Sequence, residues 1–257
     1  MTNKKQDIII HSQWDKSIQY LTSQHREFKS FSNFREWDSI TSIPLYEVHP
    51  YHAYIEYAKD IQSSLTGKDR DQWEKAMGHS IRGYRGVSDL FCMHSVPLGS
   101  LTTNPHSLKA NHHFFKYNSL TRNSILDFDR IVELGGGCGD FAKFIINMGF
   151  KGEYAIIDIP EVLEVQKYNL LGYEVDFTSR PVSFKPNTLF VSTWGLSECP
   201  IPWRLEVLNA LSSTNWLITY QSRYHEMSNE DYFKGFSGVR EDIPWIPWDG
   251  GSKYLLR

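Results

Sequence analysis

Ile131-Val-Glu-Leu-Gly-Gly-Gly-Cys-Gly-Asp-Phe-Ala-Lys-Phe-Ile145 holds a short apolar run, a cluster of glycines and a stretch of helical periodicity in immediate succession. Arg130–Leu134 reads as a buried strand and 140–148 as a helix, with Asp140 as its N-cap and Gly149 as its stop. A strand that turns straight into a helix needs positive φ angles and close backbone approach, both of which glycine supplies. A second strand, Glu153–Asp158, follows, and Pro160 opens a helix over EVLEVQKYNLL that ends at Gly172. Further strands are expected over Tyr173–Phe177, Thr188–Thr193, Trp216–Gln221 and Lys253–Arg257, with a helix over Trp203–Leu211. Alternating strands and helices imply a mainly parallel sheet covered on both faces.

Upstream the texture differs. Tyr51, Tyr54, Ile55, Ala58 and Ile61 line one helical face, and Asp71, Trp73, Met77 and Ile81 mark a helix around 70–84. The segment 92–106, CMHSVPLGSLTTNPH, has the prolines and turn formers of a loop, and 107–119 returns to helical spacing. Residues 1–105 therefore read as a helical N-terminal cap that binds the acceptor, and 106–257 as a catalytic α/β domain.

Composition narrows the function. A net charge of −3 provides no general attraction for nucleic acid. Cys92, Cys138 and Cys199 are widely separated and odd in number, which fits reduced thiols in a cytoplasm rather than a disulfide framework. No apolar run approaches the length of a membrane span, and MTNKKQDIII is too short in its apolar part for a signal peptide. Asp69-Arg-Asp71 and Asp127-Phe-Asp129 do not follow a crevice-lining strand, so no Asp-x-Asp cluster supports a magnesium site and no metal is expected; Asp231, Glu241 and Asp242 read as scattered, solvated carboxylates.

In a parallel sheet Asp158 ends the strand beside Glu133, so both face one crevice, and a carboxylate there can accept both ribose hydroxyls of an adenosine. Two cofactor classes fit the glycines. From Gly137, G-C-G-D-F-A matches the dinucleotide pattern G-x-G-x-x-A, which would make an NAD-dependent oxidoreductase. Glu133 within the strand, and Asp140 placing an anion where a pyrophosphate would sit, favour S-adenosylmethionine (SAM).

The blocks IVELGGGCGDFAKFI, YAIIDIPEVLEVQKYNL and LFVSTWGLSECP, in that order, resemble the sugar O-methyltransferase family of class I SAM-dependent enzymes across about 130–257. The resemblance implies a class I methyltransferase (Rossmann-like) fold with a seven-stranded sheet, and O-methylation of a sugar or glycan precursor of the kind used in polysaccharide biosynthesis. It implies that Glu133, Gly135 and Gly137 line the methionine side of SAM, that Asp158 holds the ribose, and that Ile159 lies against adenine. Ser192, Thr193 and Trp194 would sit beside the sulfonium.

An alcohol needs a base at neutral pH. Glu198 and His225, after the fourth and fifth strands, are the candidates. Arg82, Tyr84 and Arg85 are candidate acceptor contacts. If the acceptor is instead a phosphoryl or carboxyl oxygen of a small metabolite, the two arginines become anion clamps. His79, His94, His112 and His113 read as structural, and the last two, being adjacent, are not expected to face one side of a helix. Trp245 and Trp248 are expected to pack their loop onto the sheet, or to stack on a sugar ring as part of a lid.

Overall fold

The computed structural model describes residues 51–78, 96–183, 185–210, 215–224, 226–243 and 251–257. His79, Arg82, Tyr84, Arg85, Cys92, His94, His225, Trp245 and Trp248 lie outside the described residues.

Helices α1 (Tyr51–Ser64) and α2 (Gly67–Met77) come first, then strands β1 (Val96–Leu98) and β2 (Leu101–Thr103), then α3 (Pro105–Thr121). The segment expected to be a loop thus contains a hairpin. Its turn residue Gly99 has φ 60°, and Pro97 is tolerated because a two-stranded ribbon has a free edge for the missing N–H. Helix α3 starts sharply: Pro105 is in its first turn, and the Asn104 side chain accepts from the Ser107 N–H at 2.8 Å.

The α/β part runs β3 (Arg130–Leu134), α4 (Asp140–Asn147), β4 (Glu153–Ile157), α5 (Pro160–Asn169), β5 (Asp176–Thr178), β6 (Thr188–Thr193), α6 (Gly195–Glu198), α7 (Ile201–Ala210) and β7 (Asn215–Gln221). A small ribbon, β8 (Arg223–Tyr224) with β9 (Met227–Ser228), then leads to α8 (Asn229–Phe233), β10 (Val239–Ile243) and β11 (Ser252–Leu256). The third strand of the sheet is later than expected. Tyr173 does not enter it; its N–H bonds the Leu170 carbonyl and its hydroxyl accepts from Asn147 Nδ2 at 3.2 Å.

The seven-stranded sheet has the order β10-β11-β7-β6-β3-β4-β5. Neighbours from β7 to β5 pair in parallel, whereas β11 is antiparallel to both β7 and β10. The dinucleotide-binding order is six strands with no such insertion. One reversed strand slotted between two others is the class I methyltransferase arrangement, as the resemblance implied.

Side chains alternate between two cores. Ile131, Tyr154, Ile156, Val191, Leu217 and Tyr254 face the layer of α1 to α4, whereas Val132, Ala155, Phe190, Ile218 and Leu255 face Trp203, Val207 and Phe233. The described N-terminal helices share the first core: Trp73 is fully buried and its Nε1 donates to Asn111 Oδ1 of α3 at 2.7 Å. This layer sets α3 against the sheet and brings its first turns towards the glycine loop.

Candidate functional site

The crevice begins where β3 ends. Gly135 has φ 74°, and a Cβ there would lie 3.0 Å from Gly195 Cα; one on Gly195 would lie 2.7 Å from the Leu134 carbonyl oxygen. The tips of β3 and β6 therefore touch backbone to backbone, which requires glycine on both sides. Gly137 is different. Its φ is 56°, yet an added Cβ would meet nothing within 4 Å. Glycine there serves the left-handed φ and leaves exposed backbone in the loop between β3 and α4. Asp140 is the first residue of α4 rather than its cap; Gly139, with φ 88°, takes the cap position, which a left-handed conformation favours for glycine. The Asp140 carboxylate accepts a hydrogen bond from the Cys138 thiol.

Asp158 follows β4 and is held from two sides. Oδ1 accepts from the Ile159 N–H at 2.9 Å, and Oδ2 from Gln166 Nε2 at 2.7 Å. The same Gln166 nitrogen donates to the Gly137 carbonyl at 2.9 Å, and Asn169, one turn on, donates to the Cys138 carbonyl at 2.6 Å. Helix α5 thus grips the glycine loop and Asp158 together. Burial pushes the Asp158 carboxyl up to about 7, against the hydrogen bonds from Ile159, Gln166 and Gly136 that pull it down. Gln166 is fully buried, and its Oε1 has no hydrogen-bond partner among the described residues.

Glu133 lies behind the loop. It is buried, accepts from the Tyr154 hydroxyl at 2.8 Å, and is pushed up to about 8 by burial, with Asp158 and Asp140 adding to the effect. At neutral pH much of it is therefore protonated.

At the tip of β6 the polar groups are committed to the scaffold. Ser192 is fully buried; its Oγ donates to the Leu134 carbonyl at 3.1 Å and accepts from the Leu196 N–H at 2.8 Å. Thr193 is partly exposed. Trp194 has φ 68°, an unusual value for a bulky residue, fixed because its N–H reaches Thr219 Oγ1 at 3.0 Å. Its indole Nε1 reaches Ser252 Oγ at 3.4 Å, and Lys109 Nζ of α3 sits 5.7 Å from the ring centroid. Glu198 closes α6, half-buried beside Arg204. Arg204 is fully buried, donating to the carbonyls of Cys199 (2.7 Å) and Ser197 and to Asn229 Oδ1 (2.7 Å), with its guanidinium 4.9 Å from the Tyr232 ring centroid.

Adjacent His112 and His113 do converge, contrary to expectation. Each Nδ1 lies 2.6 Å from the Tyr254 hydroxyl. That hydroxyl has one proton to donate, so one ring accepts it while the other donates its own Nδ1–H; the two histidines must be opposite tautomers. Burial is the largest cause lowering both, His113 to about 3, so both are neutral at pH 7. His113 also packs edge-on against Trp194, with centroids 5.6 Å apart, linking α3 to the crevice. Glu241 pairs with Lys116 of α3 rather than standing solvated, while Asp231 and Asp242 are exposed.

Sequence reasoning missed Gln166, Asn169, Tyr154 and Tyr254. Only the first two had a local signal: both fall on the helix opened by Pro160, one turn apart on the face towards the loop.

No family model matches the chain, and no curated protein matches it. Among solved structures, the plantazolicin methyltransferase BpumL, determined with S-adenosylhomocysteine (SAH), is 14% identical over 44% of this chain and 46% of its own, with a TM-score of 0.35. A SAM-dependent methyltransferase from Aquifex aeolicus is 17% identical over 49% of this chain and 79% of its own, at 0.39. The pyocyanin biosynthetic protein PhzM is 13% identical over 58% and 55%, at 0.40. This chain thus spans less than half the length of the first of these. Among the described residues no helix is long and apolar enough to cross a membrane.

Proposed function

We propose that the chain is a SAM-dependent O-methyltransferase acting on a hydroxyl of a sugar or glycan precursor. The observation that carries the adenosine site is the pairing of an open backbone at Gly137 with Asp158, whose carboxylate is pre-oriented by Gln166 at the neighbouring strand tip. Asp158 would take the ribose hydroxyls, with Ile159 beside the adenine. Gly135, Gly137 and Glu133 would flank the methionine part, and Thr193 and Trp194 the sulfur. Ser192 would act from behind, by fixing the β6 tip to β3.

The cofactor would supply a methyl group on a cationic sulfur. The chain's own task is alignment, and holding two reactants at near-attack distance can supply roughly 7–11 kcal/mol of a barrier. The Trp194 face favours a nearby cation. Glu198 and His225 are the proposed bases for the acceptor hydroxyl, and Arg82, Tyr84 and Arg85 the proposed acceptor contacts within a cap formed by residues 1–105.

Asp140 speaks against the dinucleotide alternative. It puts a carboxylate in the first turn of α4, where a pyrophosphate would have to sit. The sugar acceptor rests on the resemblance of the IDIPEVLEVQKY and STWGLSE blocks. Methyl transfer from isotope-labelled SAM to a panel of sugar nucleotides tests it. Label in a sugar ether supports the reading. Label appearing only in a methyl ester of an anionic metabolite would replace the sugar with the phosphoryl or carboxyl acceptor.

A further inference from the structure

We propose that His106, Cys138 and Asp140 form a binding site for a thiophilic divalent cation, with Zn²⁺ the best match to the donor set. The three come from two elements: His106 from the first turn of α3, Cys138 and Asp140 from the loop and first residue of α4. An imidazole nitrogen, a thiol sulfur and a carboxylate oxygen all lie within 4.8 Å of one another. Cys138 and Asp140 are nearly buried, with 2% and 8% of their surface exposed, so little solvent competes for them.

A tetrahedral Zn²⁺ bound at its usual distances to sulfur, nitrogen and oxygen would separate those atoms by about 3.4–3.6 Å. The cluster therefore needs only side-chain adjustment, chiefly opening of the bond in which the Cys138 thiol donates to Asp140. On binding, the thiol proton leaves to solvent, and thiolate and carboxylate together neutralise the cation. Three protein ligands leave a fourth position for water. A mixed sulfur, nitrogen and oxygen set selects zinc over magnesium or calcium, which take oxygen.

Lys143 lies one turn into α4 with its ammonium under the influence of Asp140 and Cys138, so it competes with a cation for them. The spacing conceals such a site in the sequence, because His106 precedes Cys138 by 32 residues and only the packing of α3 on α4 joins them. The consequence would be a clasp between the N-terminal layer and the glycine loop. It stands or falls independently of the adenosine site, since it is tested without SAM.

The test uses the full chain, stripped with chelator and titrated with Co²⁺ and then Zn²⁺. The expected result is one metal per chain and a near-ultraviolet thiolate-to-cobalt charge-transfer band, bleached when Zn²⁺ displaces cobalt. Cys138→Ser should abolish the band while Cys199→Ser keeps it. His106→Gln should weaken Zn²⁺ binding at least about tenfold, the low end of what even outer partners of metal sites contribute. Lys143→Gln should tighten it. Should Cys138→Ser unfold the chain, as judged by circular dichroism, the partly exposed His106 variant decides alone. No thiolate band, a band that survives Cys138→Ser, or Zn²⁺ affinity indifferent to His106 would overturn the proposal.

Discussion

The two halves of the crevice are built differently. At the tips of β6 and β7, Ser192, Ser197, Arg204 and Asn229 bond one another or nearby side chains and backbone, closing most of the region on itself, with Gln221 Nε2 the one side-chain donor there left without a partner among the described residues. At the tips of β3 and β4, Gly137 faces open space, Gln166 retains an unmet acceptor, and two carboxyls are held above their ordinary range. Polar groups that satisfy one another make a scaffold. Polar groups that are oriented but incompletely satisfied make a site.

The sharpest way to break this contrast is to cut one member from each side. Arg204→Ala strands the acceptors on Cys199, Ser197 and Asn229. Hydrogen bonds to charged groups are worth about 1.5–3 kcal/mol each, so a loss of at least about 3 kcal/mol is expected. In a chain of this size that lowers Tm by roughly 6–12 °C in a melting experiment. SAH affinity of the folded fraction should hardly move.

The opposite side should behave in the opposite way. Asp158→Ala is expected to weaken SAH by about 1–3 kcal/mol with a small change in Tm. Gly137→Ala should also weaken SAH, by placing a methyl on the exposed loop backbone, and its φ of 56° adds a stability cost of about 1–2 kcal/mol, still below that of Arg204→Ala. Isothermal titration beside melting curves separates affinity from stability. Equal loss of both in every variant would erase the distinction.

The smallest effect is a pH slope. Glu133 and Asp158, raised to about 8 and about 7 in the folded chain, hold protons that the unfolded chain has released. Their contribution is complete below pH 4 and is lost as pH rises through the folded values. Buried His112 and His113 work the other way, most strongly below their ordinary value near 6.5, where the unfolded chain protonates them. Between pH 6.5 and 8 the carboxyls outweigh them, and apo-protein stability should fall by about 1–2 kcal/mol. Denaturant titrations at the two pH values check this. Glu133→Gln should flatten most of the slope; an unchanged slope would move the protonated group elsewhere.

Much of the sheet was legible because its signals are local. Ile131–Leu134 running into glycines, Pro160 opening a helix, and apolar Thr188–Thr193 each announce an element within a few residues. The 96–103 hairpin was hidden by Pro97 and Gly99, which mark a turn without saying that strands flank it. Within the site, glycines and Asp158 could be placed from chain order alone. Gln166 reaching two groups, and Tyr254 joining two neighbouring histidines, depend on how α5, α3 and β11 dock, and no spacing in the chain encodes that. Its place after the fourth strand marks Ser192 as cofactor-facing, yet its hydroxyl ties β6 to β3, a role only the paired sheet reveals.

On the reading proposed above, the β3–β4 crevice holds an adenosine bearing a sulfur-linked methyl donor rather than a dinucleotide. Calorimetric titration of the full chain with SAH, and separately with NAD, addresses it most directly. One SAH per chain is expected, weakened by Asp158→Ala, with no heat from NAD. Binding of NAD with none of SAH would contradict it.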